Sequence, residues 1–209
     1  LNELDDGALL FLEKTTSLVL DSGDQRRELS RHQVERPRSQ LNGREVCISE
    51  GSNKRVRRYW VWKRNIALID APEDVQKAVQ QLPGKWPQLQ ESAVSIGVML
   101  GEETVRGTLS IFLPTLLGTG CATHINAPFF GDMSRTHIDF GSSDDQGSSS
   151  GATYNRFLLS EAAQLALSVV QNELVGQQLE EARAVVDLLA PWGTDLEATK
   201  RWQQLVTSA

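Results

Sequence analysis

Cysteine is scarce in this chain: Cys47 and Cys121 are the two among 209 residues. That is too few for a disulfide framework, and a reducing cytoplasm is the compartment expected. Long apolar runs are missing as well. The longest, 66–69 and 110–117, fall far short of the ~20 residues a spanning helix needs, so no membrane association is expected. No basic stretch followed by an apolar one opens the chain, which predicts no secretion signal. Phosphate-cradling loops are absent: there is no Gly-x-x-x-x-Gly-Lys-Ser/Thr, and no Gly-x-Gly-x-x-Gly opening a helix. ATP binding by this stretch alone is therefore not expected. Lysine vanishes between Lys85 and Lys200, leaving Arg106, Arg135, Arg156 and Arg183 as the cations of that half. A net charge of −6 gives no global attraction to nucleic acid, although local basic patches remain. The first residue is Leu1, within a helix-like segment, which we read as the trimmed start of a piece that has lost neighbouring domains.

What is present is enough for a core: hydrophobic residues make up 40% and charged residues 23%, ordinary values for a globular protein. The acidic-then-apolar stretch Asp5-Asp6-x-x-Leu9-Leu10-Phe11-Leu12 predicts a short helix, and the branched residues of 15–20 an extended segment. The basic run 25–38 suits a solvated strand or loop balanced by Glu28 and Glu35, or a phosphate-contacting patch. Alternation over 44–50 and 57–64 predicts a hairpin. Its aromatics, Trp60 and Trp62, interleave with Arg57, Arg58 and Lys63, which is either a core face beside a wet face or a surface for single-stranded nucleic acid. Asp70-Ala71-Pro72-Glu73 reads as a helix start, with the stripe Val75, Val79 and Leu82 ending at Pro83-Gly84. Strict alternation over 94–100 and 108–113 predicts a further pair of strands, the second broken at Pro114. The polar tract 141–151 predicts a flexible loop. Beyond it, two adjacent stripes, Leu158-Ala162-Leu165-Val169 and Leu159-Ala163-Ala166-Val170, predict a helix buried on a wide face. Two further helices are expected, around 179–189 and 194–205.

The densest chemistry lies in 107–140. Cys121, His124, His137 and Asp139 can be drawn as a thiol nucleophile with its base and acid, or as a metal set, but no second Cys or His pair completes a zinc pattern. Cys121 reads equally as a small buried hydrophobe. Arg135 follows a glycine turn, and a guanidinium there either reaches a phosphate supplied by another domain or pairs locally with Asp132 or Asp139.

The succession Phe112-Leu113-Pro114-Thr115, Thr119-Gly120, His124-Ile125-Asn126-Ala127-Pro128-Phe129-Phe130, Ser134-Arg135 and Tyr154-Asn155-x-x-Leu158-Leu159 resembles the segment after the ATP-binding domain in sacsin-like proteins. These are Hsp90-like ATPases of the GHKL superfamily. The stretch from Leu9 to Leu20 also resembles the junction where that ATPase domain ends. The resemblance implies a middle, or transducer, domain. In such domains a Ser-Arg pair on a loop reaches the γ-phosphate of ATP held next door. Ser134 and Arg135 would be that pair, with Asn126, Pro114 and Gly120 shaping the loop. The family's Asn-bearing magnesium helix, Asp-x-Gly-x-Gly motif and glycine-rich lid are absent from this chain, so ATP and Mg2+ are expected only with an upstream domain.

The expectation carried to the structure is thus an α+β fold: an S5-like β-α-β transducer domain with an antiparallel or mixed sheet, followed by C-terminal helices. Residues 1–20 would be the junction from an upstream GHKL-type ATPase domain, 21–141 the transducer-like domain, 142–153 a flexible loop and 154–209 a helical segment. The chain would not be an enzyme alone, nor hold a metal. It would belong to a cytoplasmic, chaperone-type ATP hydrolase whose family reading admits a homodimer. The competing reading is a nucleic-acid-binding module using 54–64.

Overall fold

The architecture comes from a computed structural model that describes residues 6–23, 26–35, 41, 43–51, 55–101, 105–131, 137–141, 149–173 and 179–188. The fold is α+β: a mixed, mostly antiparallel sheet followed by C-terminal helices. The strands are β1 (Ser17–Asp21), β2 (Arg26–Glu35), β3 (Arg44–Glu50), β4 (Arg55–Ala67), β5 (Glu91–Leu100), β6 (Thr108–Ile111), β7 (Leu113–Gly118) and β8 (His124–Asn126). The helices are α1 (Glu73–Gln81), α2 (Ser150–Glu173) and α3 (Leu179–Asp187). The eight strands among the described residues belong to one sheet, ordered β1-β2-β3-β4-β5-β8-β6-β7. The first five pair antiparallel in sequence order, with α1 inserted in the connection between β4 and β5.

Alternation gives each of these strands two faces, and both are covered. On one face Trp60, Trp62, Ile96 and Val98 join Val75 and Val79 of α1 and Leu158, Ala162, Leu165 and Val169 of α2 in a single core. The 3.6-residue stripes of α2 therefore read correctly, and the helices pack into the sheet's own core rather than forming a separate one. Arg64 of β4 fixes the helix at its flank, with Nη2 donating to Ser168 Oγ at 3.1 Å and Nη1 standing 3.5 Å from Glu161 Oε2. The opposite face, built from Leu29, Val46, Ile48, Tyr59 and Met99, is covered by Leu9 and Leu10. Gly97 makes that close approach feasible, since a Cβ there would stand 3.1 Å from Leu10 Cδ2.

Five expectations need correction. The strands over 94–100 and 108–113 are not neighbours: β8 lies between β5 and β6, antiparallel to the first and parallel to the second. Sequence order favours a hairpin, but β8 satisfies the β5 edge instead. The break in the second strand falls at Phe112, not Pro114. Phe112 has φ +66° between β6 and β7, whereas Pro114 pairs with Ser110 inside β7, at the edge of the described sheet, the kind of strand in which proline is tolerated. Next, α2 begins at Ser150, so 150–153 are helical where a loop was expected. Ser149 is the reason: its Oγ accepts from Ala152 N at 3.1 Å, a capping bond that its low-complexity surroundings conceal. Asp70, the first residue of the expected helix start, lies outside α1. It ends a short 3-10 turn, Leu68–Asp70, and Pro72 takes the capping position. Near the start of the chain a 3-10 turn, Asp6–Leu9, stands where a short helix was expected. The third helix expected around 194–205 lies outside the described residues.

Candidate functional site

The dense segment folds as a series of backbone approaches held by small polar side chains. At its start Gly107 donates from N to Cys121 O at 2.8 Å and accepts from Thr119 N at 2.9 Å. A Cβ on Gly107 would fall 1.9 Å from Thr123 O, so no side chain fits there. Thr119 Oγ1 closes the loop by donating toward Thr123 O at 2.7 Å, and Gly120 turns the chain at φ +72°. The loop then delivers His124 into β8. There the buried imidazole lies edge-on to Tyr59, ring centroids 5.7 Å apart, with Nδ1 3.1 Å from Thr108 Oγ1.

Asn126 ends β8 and performs a shaping task. Its Oδ1 accepts from Phe112 N at 2.9 Å, holding the one non-glycine residue with positive φ among the described residues. Past it, Phe129 is buried against Phe140, ring centroids 5.9 Å apart, and Phe130 meets Trp86 edge-on at 5.7 Å. Trp86 in turn meets Tyr154 of α2 at 5.5 Å. Burial pushes the Tyr154 hydroxyl pKa up, partly offset by its hydrogen bond with Ser92.

The strongest polar feature was missed in the sequence as a functional residue. Asn155, 0% exposed, sits in the second turn of α2. Its Oδ1 accepts from Phe130 N at 2.7 Å, and its Nδ2 donates to Phe130 O and Asp139 O, each at 2.8 Å. The amide thus uses one acceptor and both donors on two backbone positions that flank 132–136. A bridge between Gly131 and Ile138 pairs the same two arms directly, and Arg156 Nη1 donates to Phe140 O at 3.2 Å. The signal available in the sequence was an Asn inside an otherwise apolar helical stripe, a position that demands buried partners.

Ser134 and Arg135 lie outside the described residues. Of the other expected loop-shaping residues, Asn126 and Gly120 stand where the segment turns, and Pro114 lies on the outer strand β7. The drawn thiol or metal set does not assemble. Cys121 is buried with Sγ 3.3 Å from Thr119 Oγ1, and burial pushes its thiol pKa up, away from thiolate chemistry. His124 turns to Thr108, and His137 is exposed. Among the described residues, no three His, Cys, Asp or Glu side chains converge as metal ligands do.

The basic hairpin also resolves against base stacking. Trp60 and Trp62 are 1% and 0% exposed, packed on each other with centroids 4.6 Å apart, so neither ring offers a face to a base. Arg58 Nε pairs with Glu45 at 2.7 Å and Lys63 Nζ with Glu13 at 3.0 Å, while Arg57 is half-buried. Lys54 lies outside the described residues. No helix among the described residues is long and apolar enough to cross a membrane. No family model, curated protein or solved structure matches this chain.

Proposed function

We propose that this chain is a non-catalytic middle domain of an Hsp90-like ATPase of the GHKL superfamily, coupling ATP bound in an upstream domain to movement of the helices that follow residue 149. The observation that carries the reading is the Asn155 fork. It ties Phe130 and Asp139, the described residues on either side of the segment that contains Ser134 and Arg135, to the first turns of a long buried helix. A force on that segment would be passed through Phe130 and Asp139 to the helix, because packed interiors transmit strain instead of absorbing it. Arg135 is the residue that would gain a partner when a γ-phosphate is present, and that differential interaction is what biases one domain orientation over another. Ser134 supports it, and Mg2+ and ATP belong to the upstream domain. The intact protein would be a cytoplasmic, chaperone-type ATPase, whose assembly as a homodimer suits this mode of coupling.

Among its described residues the hairpin does not favour the nucleic-acid alternative, since its tryptophans are core residues. The test is steady-state ATPase activity of this chain joined to a GHKL-type ATP-binding domain. Arg135→Ala is expected to lower kcat by at least ~tenfold, as loss of a charge-stabilising arginine does, with ATP affinity changed less. Unaltered kcat in a folded Arg135→Ala protein would refute the coupling role.

A further inference from the structure

The sheet face opposite α2 holds a cationic cluster that the coupling reading does not use. Arg31 projects from β2 and is 6% exposed. Among the described residues its guanidinium donates to one side chain, from Nη2 to the neutral Gln33 Oε1 at 2.8 Å. Nε is buried without a hydrogen-bond partner among the described residues. No carboxylate among the described residues forms an ion pair with it, and Glu13 acts on it only through space. A buried guanidinium stays charged and carries donors in a fixed fork, so leaving it without an anion is costly.

Two more cations face the same space. Arg31, Arg44 and Lys63 line a cavity of about 20 Å³ together with Glu13. Glu13 Oε1 stands 3.0 Å from Lys63 Nζ and 3.6 Å from Arg44 Nη1. The hydrogen bond from Lys63 lowers the Glu13 pKa, and the fields of Lys63, Arg44 and Arg31 reinforce it against desolvation. Among the described residues lining the cavity, Glu13 is the carboxylate that faces the three cations, and Glu91 lies in the adjoining cleft. Glu13 is also half-exposed, on a short segment between the buried leucines and β1. The cavity shares Phe11, Glu13, Lys63 and Ser95 with an open cleft of about 550 Å³, which supplies both an approach for a ligand and room for Glu13 to withdraw.

We infer that Arg31, Arg44 and Lys63 form a binding site for a dianionic phosphate group, free or borne by a phosphomonoester, which Glu13 fills as an internal counter-anion until the ligand displaces it. A monocarboxylate ligand would only replace what Glu13 already provides. A dianion offers more charge and more acceptor oxygens to the Arg31 fork, so phosphate is the class that gains by the exchange. The site uses none of the residues of the Asn155 fork.

The test is calorimetric titration of the whole chain at low ionic strength with inorganic phosphate, O-phosphoserine and acetate. Saturable one-site binding of inorganic phosphate is expected, with acetate binding at least ~tenfold more weakly. Glu13→Gln should tighten phosphate binding by about tenfold, since the internal competitor is gone. Lys63→Gln and Arg31→Lys should each weaken it by about tenfold, the latter because lysine lacks the fork. Binding of O-phosphoserine as well supports a site open to phosphomonoesters, and binding of inorganic phosphate alone supports a free-phosphate site. If Arg31→Lys fails to fold, the exposed positions 13 and 63 carry the test. Absence of saturable phosphate binding to Glu13→Gln, equal affinity across these variants, or acetate binding as tightly as phosphate would overturn the assignment.

Discussion

Replacing Asn155 by alanine is the sharpest probe of how the dense segment is held. The substitution keeps helix propensity, so α2 itself is not weakened. What is lost is the amide and its bonds at 2.7, 2.8 and 2.8 Å to Phe130 N, Phe130 O and Asp139 O. A hydrogen bond of this kind contributes a net ~1 kcal/mol, which puts the loss near 3 kcal/mol for the fork. Stranding the backbone groups in a partly dry site raises that figure, while water entering the space left by the amide lowers it. The expected result is a destabilisation of about 2–4 kcal/mol, a large share of the 5–15 kcal/mol that holds a typical domain.

Urea denaturation followed by circular dichroism reads the global loss, with the m-value as a check that unfolding stays two-state. Amide hydrogen exchange reads the local one. The Phe130 N–H, which donates to Asn155, should lose its protection in the variant, whereas the amides of β4 and β5 should weaken only by the global amount. A loss under ~1 kcal/mol with the Phe130 amide still protected would mean that the segment is fixed by aromatic packing alone. The link from Phe130 and Asp139 to the helix would then have no polar basis.

Two further outcomes follow from neighbouring residues. Gly107→Ala should destabilise by about 3 kcal/mol or prevent folding, because its Cβ would fall 1.9 Å from a backbone oxygen that cannot rotate away. Gly23→Ala is the control: it has φ +83° but open space around it, and should cost only ~1 kcal/mol in the same denaturation assay. Toward a maleimide at neutral pH, Cys121 should remain unmodified in the native state while the half-buried Cys47 reacts slowly. Burial pushes both thiol pKa values up, and at Cys47 the Glu45 carboxylate adds to the effect. Rapid native modification of Cys121, read by mass spectrometry, would refute the packing assigned to it.

Much of this fold is written in periodicity. The stripes of α2 and the alternation of β3, β4 and β5 follow from which residues must leave water, and they survive in the structure unchanged. What periodicity omits is partner choice. The alternation of β6 is a valid strand signal, yet nothing in it says that a strand of three residues, β8, will take the place beside β5. Helix starts hide for a related reason: a serine that caps α2 sits in a tract whose composition resembles linker. Arg31 was one of six basic residues in a run that reads as wet, and its burial depends on Leu9 and Leu10 folding back over the far face of the sheet, a contact no local pattern encodes.

The two buried polar residues that matter most, Asn155 and Arg31, differ in a way that separates structure from function. Asn155 has its amide satisfied within the chain, so its burial is offset and its task is positional. Arg31 has a buried Nε with no acceptor and a neutral partner for its one side-chain bond, so its burial is not offset by the described residues. Folding alone gives no reason to keep a guanidinium there, since an apolar side chain would fill the same space at lower cost. A polar group that the fold satisfies is evidence of architecture. One that the fold leaves partly unsatisfied, beside Arg44 and Lys63 and next to an open cleft, is evidence that its partner comes from outside.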